Sequence, residues 1–431
     1  MPRQIKYLKS DTLSVARSYL AAGYVGSYAL FAGGINSSGN SDVVDAISDS
    51  LVKSTPTVLS VARSYLSCAM TIDREPHLLF AGGSDTVDAY DTSLIRSTVQ
   101  PLSVARSYVG GTSAGDFAVF AGGLNGTRGS NVVDAYDGSL TKITVQTPLT
   151  SSEKAMAAAT AGSNNHAIFA SNYYDSTGNV WCYNSSLTQT ILDPLSSPRV
   201  YMCGVSAFHD RAIFAGGGFD LRGTSTSSMI DMYIGPSHTH STRSMPSSKY
   251  QLAGAASYKY LILAGGYDST AHSNGVTIYD DSMTLRSTDL TLSDSRCRLA
   301  ATNIGNFDFI FAGGYDGNYV NTVDIFEDSW KNVKTSKVMY GNQVVIDLTG
   351  DTVAANKMLS GSTAHDADGE VIVGTLAFTP AGTYTPGTTD QTISSGQILS
   401  GEHVLKGDAN LLAENIKAGV TIFGVTGDYE L

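Results

Sequence analysis

Seven basic residues recur at matching places along the first three quarters of the chain: Arg17, Arg63, Arg106, Lys154, Arg199, Lys249 and Arg296. Around the first three the wording is nearly copied: Ser14-Val15-Ala16-Arg17-Ser18-Tyr19, Ser60-Val61-Ala62-Arg63-Ser64-Tyr65 and Ser103-Val104-Ala105-Arg106-Ser107-Tyr108. Tyr19, Tyr65, Tyr108 and Tyr201 each lie two residues beyond their cation. A guanidinium is a planar fork that matches carboxylate and phosphate. A circle of such cations, with tyrosines beside them, is therefore a candidate binding site for an acidic sugar, a phosphate-bearing polymer or an acidic peptide. A structural reading stands beside it. Asp45, Asp88, Asp134, Asp231 and Asp324 also recur at a fixed place, and each is a candidate ion-pair partner for one of the cations. The two readings are compatible, because a repeated framework can present its structural cations to a ligand.

What must position these residues is a repeat. Glycine pairs fall at Gly33-Gly34, Gly82-Gly83, Gly122-Gly123, Gly216-Gly217, Gly265-Gly266 and Gly313-Gly314, and Phe169-Ala170-Ser171-Asn172 fills the one gap. Counted from the first residue of each pair, with Ser171 in that place for the gap, the intervals are 49, 40, 49, 45, 49 and 48 residues. Seven units of this length match four-stranded propeller blades. Within a unit, the basic residue opens a first strand and an apolar second strand ends at the glycines, as in Ala29-Leu30-Phe31 or Phe309-Ile310-Phe311. A third strand carries the aspartate, as in Val87-Asp88-Ala89-Tyr90-Asp91, and a Thr-rich fourth strand follows a Ser-Leu turn. Short aromatic and branched runs that end at glycine favour strand over helix.

This order of basic residue, apolar strand, Gly-Gly and a strand ending Tyr-Asp resembles the kelch repeat over residues 1–334. The resemblance implies an all-β, seven-bladed β-propeller. Kelch units usually carry a Trp after the Tyr-Asp strand. Here only Trp330 sits near that place, while Trp181 takes the slot of the third-strand aspartate. Residues 4–12 resemble the stretches before the second and third units. They are expected to supply the outer strand of the last blade and so close the ring; the alternative donor is residues 331–338.

Past residue 335 the grammar changes. Thr352 is a candidate cap for a short helix, Val353 to Leu359, with Gly361 as its stop. Asp368-Gly369 is a hairpin turn signal. A second copy places Asn410 at the cap, a helix from Leu411 to Lys417 and Gly419 at the stop, and Val420-Thr421-Ile422-Phe423-Gly424 echoes Val371-Ile372-Val373-Gly374. The Thr- and Gly-rich segment between the copies reads as extended. The expected organisation is a propeller over 1–334, a first small α+β module over 335–380, and linker strands with a second module over 381–431. The wording DTVAANKML, GSTAHDADG and AENIKAGVTIFGVTG resembles small modules of bacteriophage tail and other virion-attached proteins. That resemblance implies a virion protein, assembled in the host cytoplasm.

Composition narrows the partners. A formal net charge of −12 argues against nucleic acid. No run of eighteen apolar residues is present, so no membrane insertion is expected, and the first residues, MPRQIKYLKSD, lack the apolar core of a secretory signal. Cys68, Cys182, Cys203 and Cys297 fall in different units without a CxxC pair and read as reduced core residues.

Enzyme chemistry is poorly represented. Copper oxidases of the galactose oxidase kind, which share the kelch-type propeller, need a Tyr-Cys crosslink and two His ligands. The eight histidines here are scattered, and His238-Thr239-His240 is the one His-x-His; it reads as a polar loop. Gly218-Phe219-Asp220 and Tyr267-Asp268-Ser269 lack the carboxylate density of a calcium site, and Asp268 and Asp316 read as turn formers. No cofactor or metal is called for. Two carboxylates from different blades remain an alternative source of glycosidase chemistry. The expected function is a bacteriophage tail fibre, tail tip or other appendage, built as a homo-oligomer among other virion proteins. Its propeller would bind a host cell-surface glycan or protein, or a neighbouring virion protein. The alternatives are a glycan-processing enzyme on the tail and a purely architectural platform.

Overall fold

The computed structural model describes residues 4–162, 166–171, 178–219, 225–305, 307–329, 337–340, 343–347, 352–365, 371–376, 378–379, 381–384, 398–399 and 402–430. The chain divides into two compact units, 1–331 and 332–431.

The first unit is a seven-bladed β-propeller. Its seven four-stranded sheets start on the inner strands Ala21–Val25, Leu66–Met70, Gly110–Ala114, Ala157–Ala161, Cys203–Ala207, Ala253–Ala256 and Ala300–Ile304, which begin blades 1 to 7. Six blades run inner to outer in chain order. Blade 7 takes its outer strand from the other end of the unit: Ile5–Thr12 pairs antiparallel with Thr322–Asp328, from Ile5 opposite Asp328 to Thr12 opposite Thr322. The closure expected of residues 4–12 is thus present.

The second strand of each blade reads as an unbroken apolar run because both its faces are covered. Successive side chains of a strand point to opposite sides. In Tyr28–Ala32, Ala29 and Phe31 pack toward blade 7 with Ile310 and Ile325, whereas Leu30 and Ala32 pack toward blade 2 with Leu78 and Phe80. Seven such apolar clusters fill the seven joints, the one between blades 7 and 1 included. The ring is therefore sealed by the same packing at every joint.

The glycine pairs belong to these joints. The second glycine donates its N–H to the carbonyl of the cation in the next blade: Gly34 to Arg63, Gly83 to Arg106, Gly217 to Lys249, Gly266 to Arg296 and Gly314 to Arg17, each at 2.9 Å. A Cβ on Gly33 would stand 2.7 Å from the Arg63 carbonyl oxygen, and φ there is +64°. Both the close approach and the left-handed backbone exclude a side chain. Trp181 is wholly buried in blade 4 and donates Nε1–H to Thr150 Oγ1 at 2.9 Å. Trp330 lies outside the described residues.

The second unit corrects the sequence reading. The helices expected over Val353–Leu359 and Leu411–Lys417 are single 3₁₀ turns, Ala355–Lys357 and Ala413–Asn415, and neither has a side-chain cap. Runs of about seven residues are too short to hold a helix without packing, and none of the residues in either turn is buried. The backbone turns to pairing instead: Leu376 N–H donates to Met358 O at 2.8 Å, and Tyr429 N–H to Ile416 O at 3.0 Å. The two modules are small β-structures rather than α+β. They are still copies of one another, but the register differs from the expected one. Gly427, not Gly424, matches Gly374: a Cβ on either would strike a backbone carbonyl, that of Ile416 or of Leu359. Asp368-Gly369 lies outside the described residues, although the strands Thr363–His365 and Val371–Val373 pair antiparallel. The intervening segment is extended where described, with Gly382–Tyr384 parallel to His403–Leu405.

Candidate functional site

The seven cations do not open the inner strands; they sit three or more residues upstream, against the flank of their own blade. Arg17, Arg63, Arg106, Arg199 and Arg296 are buried and meet Asp45, Asp88, Asp134, Asp231 and Asp324 at 2.5–2.9 Å. Each arginine also donates to the second-strand carbonyl that faces its aspartate, as Arg17 does to Phe31 O at 2.9 Å. The aspartate in turn accepts a backbone N–H from the serine three residues before the arginine, as Asp231 does from Ser196 at 2.8 Å. With at most 2% of their surface exposed, these guanidinium groups have nothing to offer a ligand. The structural reading is the one the geometry shows.

The two lysines make the rule visible. The aspartate slot holds Trp181 in blade 4, opposite Phe169, and Thr277 in blade 6, opposite Leu263. Those are the blades that carry Lys154 and Lys249. A buried fork is kept where an aspartate holds the slot, and an ammonium stands where another residue does. Lys249 donates to Gly275 O at 3.3 Å, and burial pulls its pKa below the usual lysine value. Lys154 is half-buried.

The residues two positions on form the rim of the central channel instead. Tyr19, Tyr65, Tyr108, Tyr201, Gln251 and Arg298 share a left-handed backbone, φ 53–58°. The conformation swings each amide around the rim. Tyr19 N–H donates to Arg298 O, Tyr65 to Tyr19, Tyr108 to Tyr65, Met156 to Tyr108, Gln251 to Tyr201 and Arg298 to Gln251, at 2.8–3.3 Å. A belt of backbone hydrogen bonds thus runs from blade to blade around the mouth. It fixes side chains that a left-handed residue would otherwise avoid.

These side chains converge. Tyr65 stacks on Tyr108 with centroids 4.4 Å apart, and Tyr19 lies 4.3 Å from Tyr65. Ring contacts continue through Tyr201, Tyr250 and Tyr267 to His272 and Tyr315. Arg298 closes the circuit, its guanidinium 5.2 Å from the Tyr315 centroid and 4.9 Å from that of Tyr19. Its Nε donates to Gln251 Oε1 at 3.1 Å, and Gln251 Nε2 donates to Tyr19 OH at 3.1 Å. Burial pushes the phenols of Tyr19 and Tyr108 well above the ordinary range, so they stay protonated, and burial holds His272 below the ordinary histidine value. Of these residues, Tyr19, Tyr65, Tyr108, Tyr201, Gln251 and Arg298 line a cavity of about 230 Å³, with no acidic residue among its described walls. Below it the channel, about 510 Å³, is walled mainly by small residues such as Gly23, Gly111, Gly204 and Gly254.

The other candidates resolve simply. His240 lies on the outer strand Thr239–Ser244, meets Asp231 Oδ1 at 2.7 Å and stacks on Tyr233, so it is no loop residue. His238 turns toward blade 4, 3.6 Å from Cys182 Sγ. The cysteines are free, and burial pushes the thiols of Cys68, Cys182 and Cys203 up to about 12. Asp268 and Asp316 bind the backbone of their own turns, as read from the sequence; Asp220 lies outside the described residues. Among the described residues, no three His, Cys, Asp or Glu side chains lie together as a metal site needs. Arg298 and Gln251 were not singled out by sequence. The signal was there: each stands two residues past its cation, in the slot that Tyr19 defines.

No family model matches the chain, and no curated protein matches it by sequence. Solved structures resemble it in fold. A streptogramin B lyase aligns at 12% identity and TM-score 0.52, covering 76% of this chain and 98% of its own. A fungal alcohol oxidase of the AA5 family, in complex with copper, aligns at 12% identity and TM-score 0.58, covering 75% of this chain and 76% of its own. At that identity the likeness shows the fold alone: the chain is similar to these proteins as a β-propeller.

Proposed function

We propose that this chain is a bacteriophage virion protein, part of a tail fibre, tail tip or other appendage, whose kelch-type propeller binds a host surface ligand at the tyrosine-rimmed mouth. The observation that carries the reading is a cavity rimmed by four tyrosines, with one guanidinium set among them. Aromatic faces held by a rigid scaffold are typical of binding sites. The repeated C-terminal modules support attachment to a particle. Phe423 and Val371 are 65% and 61% exposed, and neighbouring chains would cover them. The absence of acidic groups from the described walls of the mouth weighs against glycosidase chemistry there, which needs a pair of carboxyl groups.

The test is binding of the full-length protein to a panel of bacterial envelope polysaccharides, read by surface plasmon resonance. The parent protein binds. A Tyr65→Ala, Tyr108→Ala double variant with an unchanged unfolding midpoint loses most of that binding. If the parent binds none of the polysaccharides but captures purified tail proteins through the modules, the purely architectural role takes its place.

A further inference from the structure

We infer that the ligand group seated in the mouth is a carboxylate-bearing sugar, its carboxylate on Arg298 and its ring against the tyrosines. This rests on the mouth being the ligand site. Five aspartates of the propeller are locked onto buried arginines, yet no described carboxylate stands within ion-pair distance of Arg298. A guanidinium at a cavity wall, in a chain of net charge −12, has been left without a carboxylate partner among the described residues. It is also held still. Two tyrosine rings flank it, and Gln251 takes its Nε. The two terminal nitrogens are the fork that remains, and a planar carboxylate fills such a fork with two parallel hydrogen bonds. One cation matches one charge; a phosphate, carrying nearly two, would call for a second cation, and Arg298 is the one cationic residue among the described walls of the cavity.

The rest of the mouth fits a sugar better than an acidic peptide. The rings of Tyr19, Tyr65, Tyr108 and Tyr201 line the cavity and give apolar surface for one side of a pyranose, and their hydroxyls can donate to or accept from its OH groups. Tyr19 OH already accepts from Gln251, so its own hydrogen points elsewhere. The cavity, about 230 Å³, is below the roughly 300–1,000 Å³ of pockets that hold drug-sized ligands. It therefore takes a single terminal residue or branch rather than a length of polymer.

The experiment uses the full-length protein on an array of neutral hexoses, uronic and nonulosonic acids, the methyl esters of those acids, and sugar phosphates. The acids bind and their methyl esters do not. Arg298→Gln weakens binding to the acids by about ten- to a hundredfold, the range for a hydrogen bond to a charged group. Glutamine already occupies this slot in blade 6, so the variant backbone is one the rim accepts. Binding of the parent weakens with added salt, and that of Arg298→Gln much less. Equal binding of acids and esters, or tighter binding of sugar phosphates, would overturn the inference while leaving the mouth as the site, provided Tyr65→Ala still abolishes it. Binding to no sugar at all would overturn both.

Discussion

Arg199 and Lys249 occupy one slot in adjacent blades and differ by a single neighbour, the carboxylate of Asp231. Burial alone would raise the pKa of that carboxyl. The charge of Arg199, the Ser196 N–H and the His240 and Arg199 hydrogen bonds outweigh it and hold the carboxyl below the usual range. A depressed native pKa means stability that is present above the ordinary aspartate value of about 4 and lost as pH falls through the native one. Asp231→Asn is therefore expected to cost about 3–5 kcal/mol at pH 7, because it leaves Arg199 buried without its charge partner. The gap to the parent should narrow below about pH 4. Urea midpoints at pH 7 and pH 3 measure both; a gap that is unchanged between the two would refute the assignment. These pairs were half legible in the sequence. The recurrence of five aspartates named the partners. It could not say on which side of the blade wall the guanidinium ends, because exposure depends on the fold of the segment before the inner strand. Arg298 was hidden for another reason: one arginine among tyrosines breaks a pattern that the eye follows by residue type, although its backbone slot is the same.

Among the elements, the Gly-Gly turn is the joint between neighbouring blades. Gly33 and Gly235 share nearly the same φ, +64° and +62°, but only Gly33 has a backbone oxygen at 2.7 Å from the place of a Cβ; Gly235 has nothing within 4 Å. Both alanine variants carry the left-handed penalty of about 1 kcal/mol. Gly33→Ala must also part blade 1 from blade 2, and is expected to be the less stable by about 1–3 kcal/mol, the usual range for overpacking. Thermal unfolding of the two variants side by side checks this, and equal midpoints would remove the joint as an explanation. The propeller strands were readable because each is short, apolar and stopped by glycine. The C-terminal helices were misread for a physical reason. Capping residues and glycine stops also bound single turns, and only buried packing along one face would have lengthened 355–357 or 413–415 into a helix.

At the scale of the whole molecule, Ile5–Thr12 is the one propeller strand among the described residues that is supplied from outside its own repeat. Removing it would bare the edge of Thr322–Asp328 and leave blade 7 with three strands. Exposed edges recruit other strands. A chain without residues 1–12 is expected to lose its single cooperative transition and to associate beyond the parent, as read by calorimetry and light scattering. Unchanged behaviour in both would show that the seam closes without it. The borrowed strand also sets a timetable. Its residues are synthesised ahead of the rest of the propeller, and their partner, ending at Asp328, emerges some 320 positions later. At about 5–20 residues per second that is a wait of roughly a quarter of a minute to a minute. Six finished blades must tolerate an unlatched first segment for that long, and the polar, lysine-bearing make-up of Lys6 to Thr12 suits a stretch that has to stay in water until its place exists.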